Sequence, residues 1–153
     1  MNMIKYEDII VAVKARLNDK FNKIEVNSND VKEGFNRPSF FIKIDNIKAA
    51  VFMQDTQDNY LTVRVSYFPE NKHVNQEELL LMQDQLAELF LMDNVVNVNQ
   101  SISFEVEEIT FDEVDGVLHC DFDIVIYQEY NRVETTPIME NLEYKREGLI
   151  WQM

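Results

Sequence analysis

The sequence contains few of the residues on which common enzyme sites depend: three glycines, two histidines and one cysteine among 153 residues. None of Gly34, Gly116 and Gly148 lies in a Gly-rich run, which excludes a phosphate-binding loop, a dinucleotide-binding fingerprint and a nucleophile elbow. Neither His73 nor His119 has a second histidine at the helical spacing of a zinc site. The sequence therefore predicts no catalytic site, no metal site and no cofactor.

Cysteine pairs and long apolar runs are also missing. Cys120 is alone, which excludes an internal disulfide, and its apolar neighbours indicate a small buried hydrophobe. No stretch of about 18 apolar residues exists, and the chain becomes acidic at Glu7 and Asp8, where a signal peptide would need an apolar run. We expect a cytoplasmic protein that does not enter a membrane.

Positive charge is scarce. The chain has 14 Lys and Arg against 28 Asp and Glu, a formal net charge of -14. Residues 1–75 hold 11 basic and 10 acidic side chains, whereas residues 76–153 hold 3 and 18. Because such a balance repels phosphate backbones, we expect no stable nucleic-acid binding.

The apolar content, 46%, is sufficient for a folded core. We expect one domain over residues 1–132 and a C-terminal tail over residues 133–153. The tail includes the apolar residues Leu149, Ile150 and Trp151. Two interpretations of the tail stay open: a docking arm for a partner, and a disordered or self-packed end.

Apolar residues at helical spacing predict two amphipathic helices, over residues 6–21 and residues 75–93. In the second, Asn75 and Glu78 have the spacing of an N-cap and its N3 partner. Alternating apolar residues predict strands over residues 39–53 and 61–67. In the first of these strands the apolar positions change parity near Asp45 and Asn46, which predicts a bulge that keeps one face directed inward.

Two further strands are predicted over residues 101–113 and 117–127, joined at Asp115 and Gly116 by a type I′ turn. Counting back from that turn pairs Phe111 with Cys120, Ile109 with Phe122 and Asp112 with His119. A parity change near Glu107 and Glu108 predicts a second bulge. The whole pattern predicts an α+β fold of order α-β-β-α-β-β, with a mixed or antiparallel sheet of four to five strands and both helices on one face.

An acidic cluster is expected on the uncovered face of this sheet. It consists of Glu105, Asp112, His119, Asp121 and Asp123, with one of Glu107 or Glu108 nearby. One interpretation is a divalent-cation or acid/base site. The favoured interpretation is a solvated face, because an open antiparallel sheet requires polar residues at alternate positions.

A basic and aromatic segment precedes and begins the first long strand, with Arg37, Phe40 and Phe41. On a basic protein it would suggest a nucleic-acid surface, but the charge of this chain argues against that. Because neighbouring strand residues point to opposite faces, we expect one phenylalanine in the core and the other exposed as a partner contact. Replacing the exposed one with Asp would then block assembly of a folded monomer. Arg37 and Trp151 are the other expected partner contacts.

Three segments together resemble a known family. Residues 27–42 read NSNDVKEGFNRPSFFI, residues 67–69 read Tyr-Phe-Pro, and residues 80–90 form the centre of the second predicted helix. They resemble the small tail terminator proteins of phages and of phage-tail-like bacteriocins of Gram-positive bacteria. The resemblance covers about residues 4–130 and is one of overall pattern, with no catalytic signature.

The resemblance implies a structural α+β subunit that assembles as a ring, usually a hexamer, on a finished tail tube and ends polymerisation. It implies the chain itself, the tube, the sheath and, where a head is present, head-connector proteins as partners. It implies no enzyme activity and no cofactor, and assembly in the cytoplasm of the producing bacterial cell. The acidic face could then line a lumen through which DNA passes without sticking.

Three alternatives stay open. Another adaptor of the head-tail junction would share the size and the fold class. A DNA-mimicking inhibitor would also be small and acidic, but the near-neutral first 75 residues argue against charge spread over the whole surface. An enzyme using the acidic face would require a pocket beside His119.

Overall fold

A computed structural model describes residues 5–28, 35–53 and 56–129. The elements are α1 (Tyr6–Lys20), β1 (Glu25–Asn27), β2 (Ser39–Met53), β3 (Thr56–Phe68), α2 (Gln76–Leu91), β4 (Val95–Asn97), β5 (Ser103–Glu105), β6 (Thr110–Val114) and β7 (Val117–Glu129). Within these ranges neither helix is long and apolar enough to span a membrane.

The main sheet has five strands in the order β1-β2-β3-β7-β6. β1 is parallel to β2, and the other neighbours are antiparallel. The predicted α+β class and the order of the main elements are confirmed. β1 and β4 were not predicted, because a strand of three residues is too short to show alternation, and β5 was predicted only as part of a longer strand.

The core lies between the two helices and one face of the sheet. Both predicted helices are confirmed, and each buries the stripe expected from its 3.6-residue period. The helical core residues are Ile9, Val13 and Leu17 from α1 and Leu79, Met82, Leu86 and Phe90 from α2. Sheet residues such as Val63, Cys120 and Ile124 pack against them, so the prediction that Cys120 is a buried hydrophobe is confirmed.

Asn75 is the N-cap residue of α2, as predicted, but its side chain does not cap the helix. Its Nδ2 donates instead to the carbonyl oxygen of Asn71 at 3.2 Å. Glu78, the predicted capping partner, accepts hydrogen bonds from the Tyr67 hydroxyl at 2.6 Å and from the Glu70 backbone N–H at 2.8 Å. The capping-box residues therefore hold the loop between β3 and α2.

The turn between β6 and β7 is confirmed. Asp115 and Gly116 have φ values of 52° and 75°, as a type I′ turn requires. Phe111 pairs with Cys120 as predicted. β6 begins only at Thr110, so the predicted pair of Ile109 with Phe122 is not part of the ladder.

The predicted long strand over residues 101–113 is wrong. β5 pairs with β4 in a separate two-stranded sheet, and residues 106–109 between β5 and β6 are not in a strand. The Val106 N–H donates to the Asn94 carbonyl at 2.8 Å, which ties the chain to the end of α2. The parity change near Glu107 and Glu108 thus marks a passage between two sheets instead of a bulge.

The bulge in β2 is confirmed by a register shift between Asp45 and Lys48. Asn46 within it has a φ of 53°, the left-handed conformation that asparagine tolerates. The expectation that the bulge would keep the later apolar residues covered was wrong: Ile47 is 48% and Val51 68% exposed. The helices leave this end of β2 uncovered.

Candidate functional site

The sheet face directed away from the helices, here called the open face, carries mostly polar side chains. Ladder partners on neighbouring strands share a face, so the register defines its members. Its polar members are Lys43, Asp45, Lys48, Thr62, Arg64, Ser66, Asp112, His119, Asp121 and Asp123.

The open face is mixed in charge and not uniformly acidic. Arg64 donates from Nε to Asp121 Oδ1 at 2.8 Å and from Nη2 to Asp121 Oδ2 at 3.0 Å, a two-pronged ion pair. Lys43 is the ladder partner of Arg64 on the other side. The Thr62 hydroxyl donates to Asp123 at 2.6 Å. Because the pair of Arg64 and Asp121 is partly exposed, it orders these side chains but contributes about 1 kcal/mol or less to stability.

His119 lies next to this ion pair. Its Nδ1 is 2.8 Å from the Ser66 hydroxyl. Burial lowers the pKa of the imidazole below the ordinary 6.5, and the Arg64 cation lowers it further, against the opposing effect of Asp121 and Asp112. At neutral pH the histidine is therefore uncharged and adds no positive charge to the open face.

This shift predicts a pH dependence of stability. Because the unfolded chain binds a proton at His119 more readily than the folded chain, the contribution of this residue is full above pH 6.5. It is lost as the pH falls through 6.5 towards the folded pKa. We expect the free energy of unfolding, measured in urea, to fall less on acidification in His119→Gln than in the unchanged protein.

The matched control is His73→Gln, since His73 is exposed in the loop before α2. Equal slopes for the two variants would show that His119 is not responsible.

The open face offers little for a metal or a nucleophile. Within residues 5–28, 35–53 and 56–129, no three His, Cys, Asp or Glu side chains lie close enough to hold a metal ion. Asp121 is already engaged by Arg64. Burial raises the pKa of the Cys120 thiol, which keeps it protonated and unreactive. The geometry favours the solvated-face interpretation.

The structure brings together four of the five residues of the expected acidic cluster. Asp112 is the ladder partner of His119, and Asp121 and Asp123 follow at alternate positions of β7. Glu105 is not among them, because it lies exposed in β5 of the separate sheet. The lumen role of the cluster stays a prediction.

Neither of the two phenylalanines expected at a partner contact is free. Phe40 is fully buried in the core, with its ring centroid 5.2 Å from those of Phe21 and Tyr67. Phe41 is buried on the opposite side of the sheet under Phe35, whose ring is 5.2 Å away. The expectation that one of them is exposed was wrong, since Phe35 precedes the strand and alternation does not reveal that it folds over it.

Arg37 completes this aromatic corner, which consists of Phe35, Arg37, Phe41 and Phe68. Its guanidinium carbon lies 5.2 Å from the Phe35 ring centroid and 5.5 Å from that of Phe68. Its Nη1 donates to the Pro69 carbonyl at 3.0 Å. Arg37 thus holds the corner together within one chain.

Residues 133–153, the predicted docking arm, lie outside the described residues and include Trp151. The roles of Arg37 and Trp151 as partner contacts stay predictions.

Sequence reasoning missed a second surface, here called the three-stranded arm. It consists of residues 45–53 of β2, 56–62 of β3 and 123–129 of β7, which pair with one another beyond the ends of β1 and β6. Ile47 and Val51 are exposed on it. The arm is defined by how far neighbouring strands pair with one another, and the sequence of a single strand does not show this.

Known proteins resemble this chain in sequence and in fold. The family described as phage tail terminator protein matches residues 8–137. A cryo-EM structure of the sheath/tube terminator of an extracellular contractile injection system, PVC, in its extended state superposes with a TM-score of 0.50 at 9% identity. The alignment covers 89% of this chain and 63% of that chain, and at this identity it shows a shared fold alone.

A further solved structure covers 85% of this chain and 100% of its own at 14% identity, with a TM-score of 0.42 that carries no argument. No curated protein matches the sequence. The family match extends over more than half of the sequence, from α1 past the end of β7. The chain belongs to the phage tail terminator protein family.

Proposed function

We propose that this chain assembles into a hexameric ring that caps the end of a tail tube and ends the polymerisation of tube and sheath. The observation that carries the proposal is the family match over residues 8–137. The fold shared with a terminator named for both sheath and tube supports both of these as partners.

Family membership makes the chain a structural component of a phage-tail-like particle and not an enzyme. We further propose that the subunits assemble in the cytoplasm of the producing bacterial cell. In a particle with a head, the free side of the ring would contact head-connector proteins.

A ring closed by a rotation axis needs two unlike surfaces that meet head to tail. The near-neutral residues 1–75 and the strongly acidic residues 76–153 supply such unlike surfaces.

We also propose that the open face lines the lumen of the ring. The helices cover the other face of the sheet, and the exposed carboxylates of the polar face, Asp45, Asp112 and Asp123, would meet water and passing DNA. Arg64 neutralises Asp121, and Lys43 offsets one of the three remaining carboxylates, Asp45, Asp112 and Asp123, so the sum of these charges stays negative. Such a wall would repel a phosphate backbone. A ring reconstruction with these carboxylates on its outer surface would refute this assignment.

The ring is tested by light scattering of the purified protein, alone and after mixing with tail tubes, followed by negative-stain imaging. We expect a species of six times the monomer mass of 18.1 kDa, or rings located only at tube ends. A monomer that leaves tube ends uncapped would contradict the proposal and favour another head-tail adaptor or an acidic inhibitor.

A further inference from the structure

We propose that the ring is closed by backbone pairing between the two open edges of the three-stranded arm. The β2 edge of one copy, residues 45–53, would pair with the β7 edge of the next copy, residues 123–129. The partner is thus a second copy of this chain, and the inference rests on the proposed ring.

Neither edge of the arm has a paired strand within the described part of the chain. β1 pairs with β2 only at Ser39, Phe40 and Phe41. β6 pairs with β7 only as far as Asp121. The two open edges lie in the same seven or so rows of the sheet, about 23 Å of strand on each side. At these rows the backbone N–H and C=O groups that point outward have no partner strand in the described residues.

The β2 edge has the character of a pairing surface. After Lys48 it continues as Ala-Ala-Val-Phe-Met, without a proline or a charged residue that would discourage pairing. Ile47 and Val51, on this edge, expose about half or more of their surface. A neighbouring strand would satisfy the backbone and shield these apolar side chains together.

The direction of the strands is compatible with a ring. β2 and β7 are each antiparallel to β3, so they run parallel to each other. In a ring generated by rotation every copy has the same orientation about the axis, so β2 of one copy meets β7 of the next in parallel. Both edges are used once per copy, and the ring closes without a free edge.

Charge also favours this pairing over a two-fold one. On the open face β2 carries Lys43 and Lys48 on either side of Asp45, whereas β7 carries Asp123. Pairing of β2 with β7 brings Lys48, the cation within residues 45–53, to an edge whose charged residues, Asp123 and Glu129, are both acidic. Pairing of two β2 edges would bring lysines against lysines.

Paired cysteines test the inference in the full-length protein. Lys48 and Val125 lie in one row with Tyr60 between them, so within one chain they are two strand spacings apart, about 9.5 Å. That exceeds the Cα separation of about 7 Å that a disulfide spans, so a disulfide in Lys48→Cys/Val125→Cys must join two copies. Lys48→Cys/Asp123→Cys samples a register shifted by two residues. The natural Cys120 is buried and does not compete.

Mild oxidation of the assembled ring is expected to yield a non-reducing gel ladder that reaches the hexamer in at least one double variant. The single variants Lys48→Cys, Val125→Cys and Asp123→Cys are the controls and should stay monomeric on the same gel. Light scattering and imaging of the same samples report separately whether the ring has formed.

A ring without a ladder would overturn the edge pairing and leave the proposed function intact. That outcome is also expected if residues 130–153 of the same chain cover the β7 edge. A covalent dimer of Lys48→Cys alone would overturn it in favour of two β2 edges meeting. No ring, even on tube ends, would refute the proposed function and this inference with it.

Discussion

Replacement of Phe40 with alanine is expected to lower the free energy of unfolding by about 3–5 kcal/mol. The side chain is 0% exposed, and its ring contacts Phe21 after α1 and Tyr67 on β3. Truncation therefore removes apolar burial and leaves a cavity where helix, β2 and β3 meet. Urea unfolding monitored by circular dichroism measures the change, because a domain of this size commonly unfolds in one transition.

The matched control is Val11→Ala, which removes an apolar side chain that is 63% exposed on α1 and should change stability by about 0.5 kcal/mol or less. Phe40→Asp should fail to give a folded monomer, since it would bury an unpaired carboxylate. A folded Phe40→Asp monomer defective only in assembly would contradict the position of this residue in the core.

Replacement of Arg16 with alanine is expected to destabilise the protein by about 1.5–3 kcal/mol, the range for hydrogen bonds made by a charged donor. Arg16 lies on α1, and its guanidinium reaches the C-terminal end of α2. Nη1 donates to the carbonyl oxygens of Leu89 and Asp93, and Nη2 donates to that of Val95 at 2.7 Å. These include carbonyl groups that have no hydrogen-bond donor within α2 itself. A positive charge at this C-terminal end also interacts favourably with the helix dipole.

Arg16→Lys is the matched control. It keeps the charge but loses the planar fork that reaches several carbonyls at once, so it should recover only part of the loss in urea unfolding. The side chain of Asp93 is 83% exposed, so its ion pair with Arg16 adds little and Asp93→Ala should be close to neutral. Equal stability of Arg16→Ala and the unchanged protein would show that these contacts contribute nothing.

Local pattern was sufficient for the elements that bury one continuous face. The apolar stripes of α1 and α2, the alternation of β2 and β3, and the turn at Asp115 and Gly116 each depend on residues close in sequence. The bulge near Asp45 was also predictable, because a change in parity is a local signal. The register of Asp112 with His119 followed from the turn alone.

Contacts between distant segments decided the rest. Phe35 lies over Phe41, so Phe41 is buried and not exposed. Arg64 on β3 pairs with Asp121 on the neighbouring β7, so the charge of Asp121 is neutralised. Glu105 left the acidic cluster because β5 pairs with β4 and not with the main sheet. None of these pairings leaves a periodic signal in the sequence.

The sequence by itself determined that this is an acidic α+β chain with two amphipathic helices and one polar sheet face, and its overall pattern already resembled tail terminators. Those properties follow from composition and from the periods of helix and strand, which are encoded within each segment. Only the tertiary structure decided where β1 and β6 end along their neighbours, and thus that β2 and β7 extend past them as an arm whose two edges have no paired strand within residues 5–28, 35–53 and 56–129. The extent of strand pairing is a relation between segments far apart in the chain, and its physical cause is the packing that brings them together.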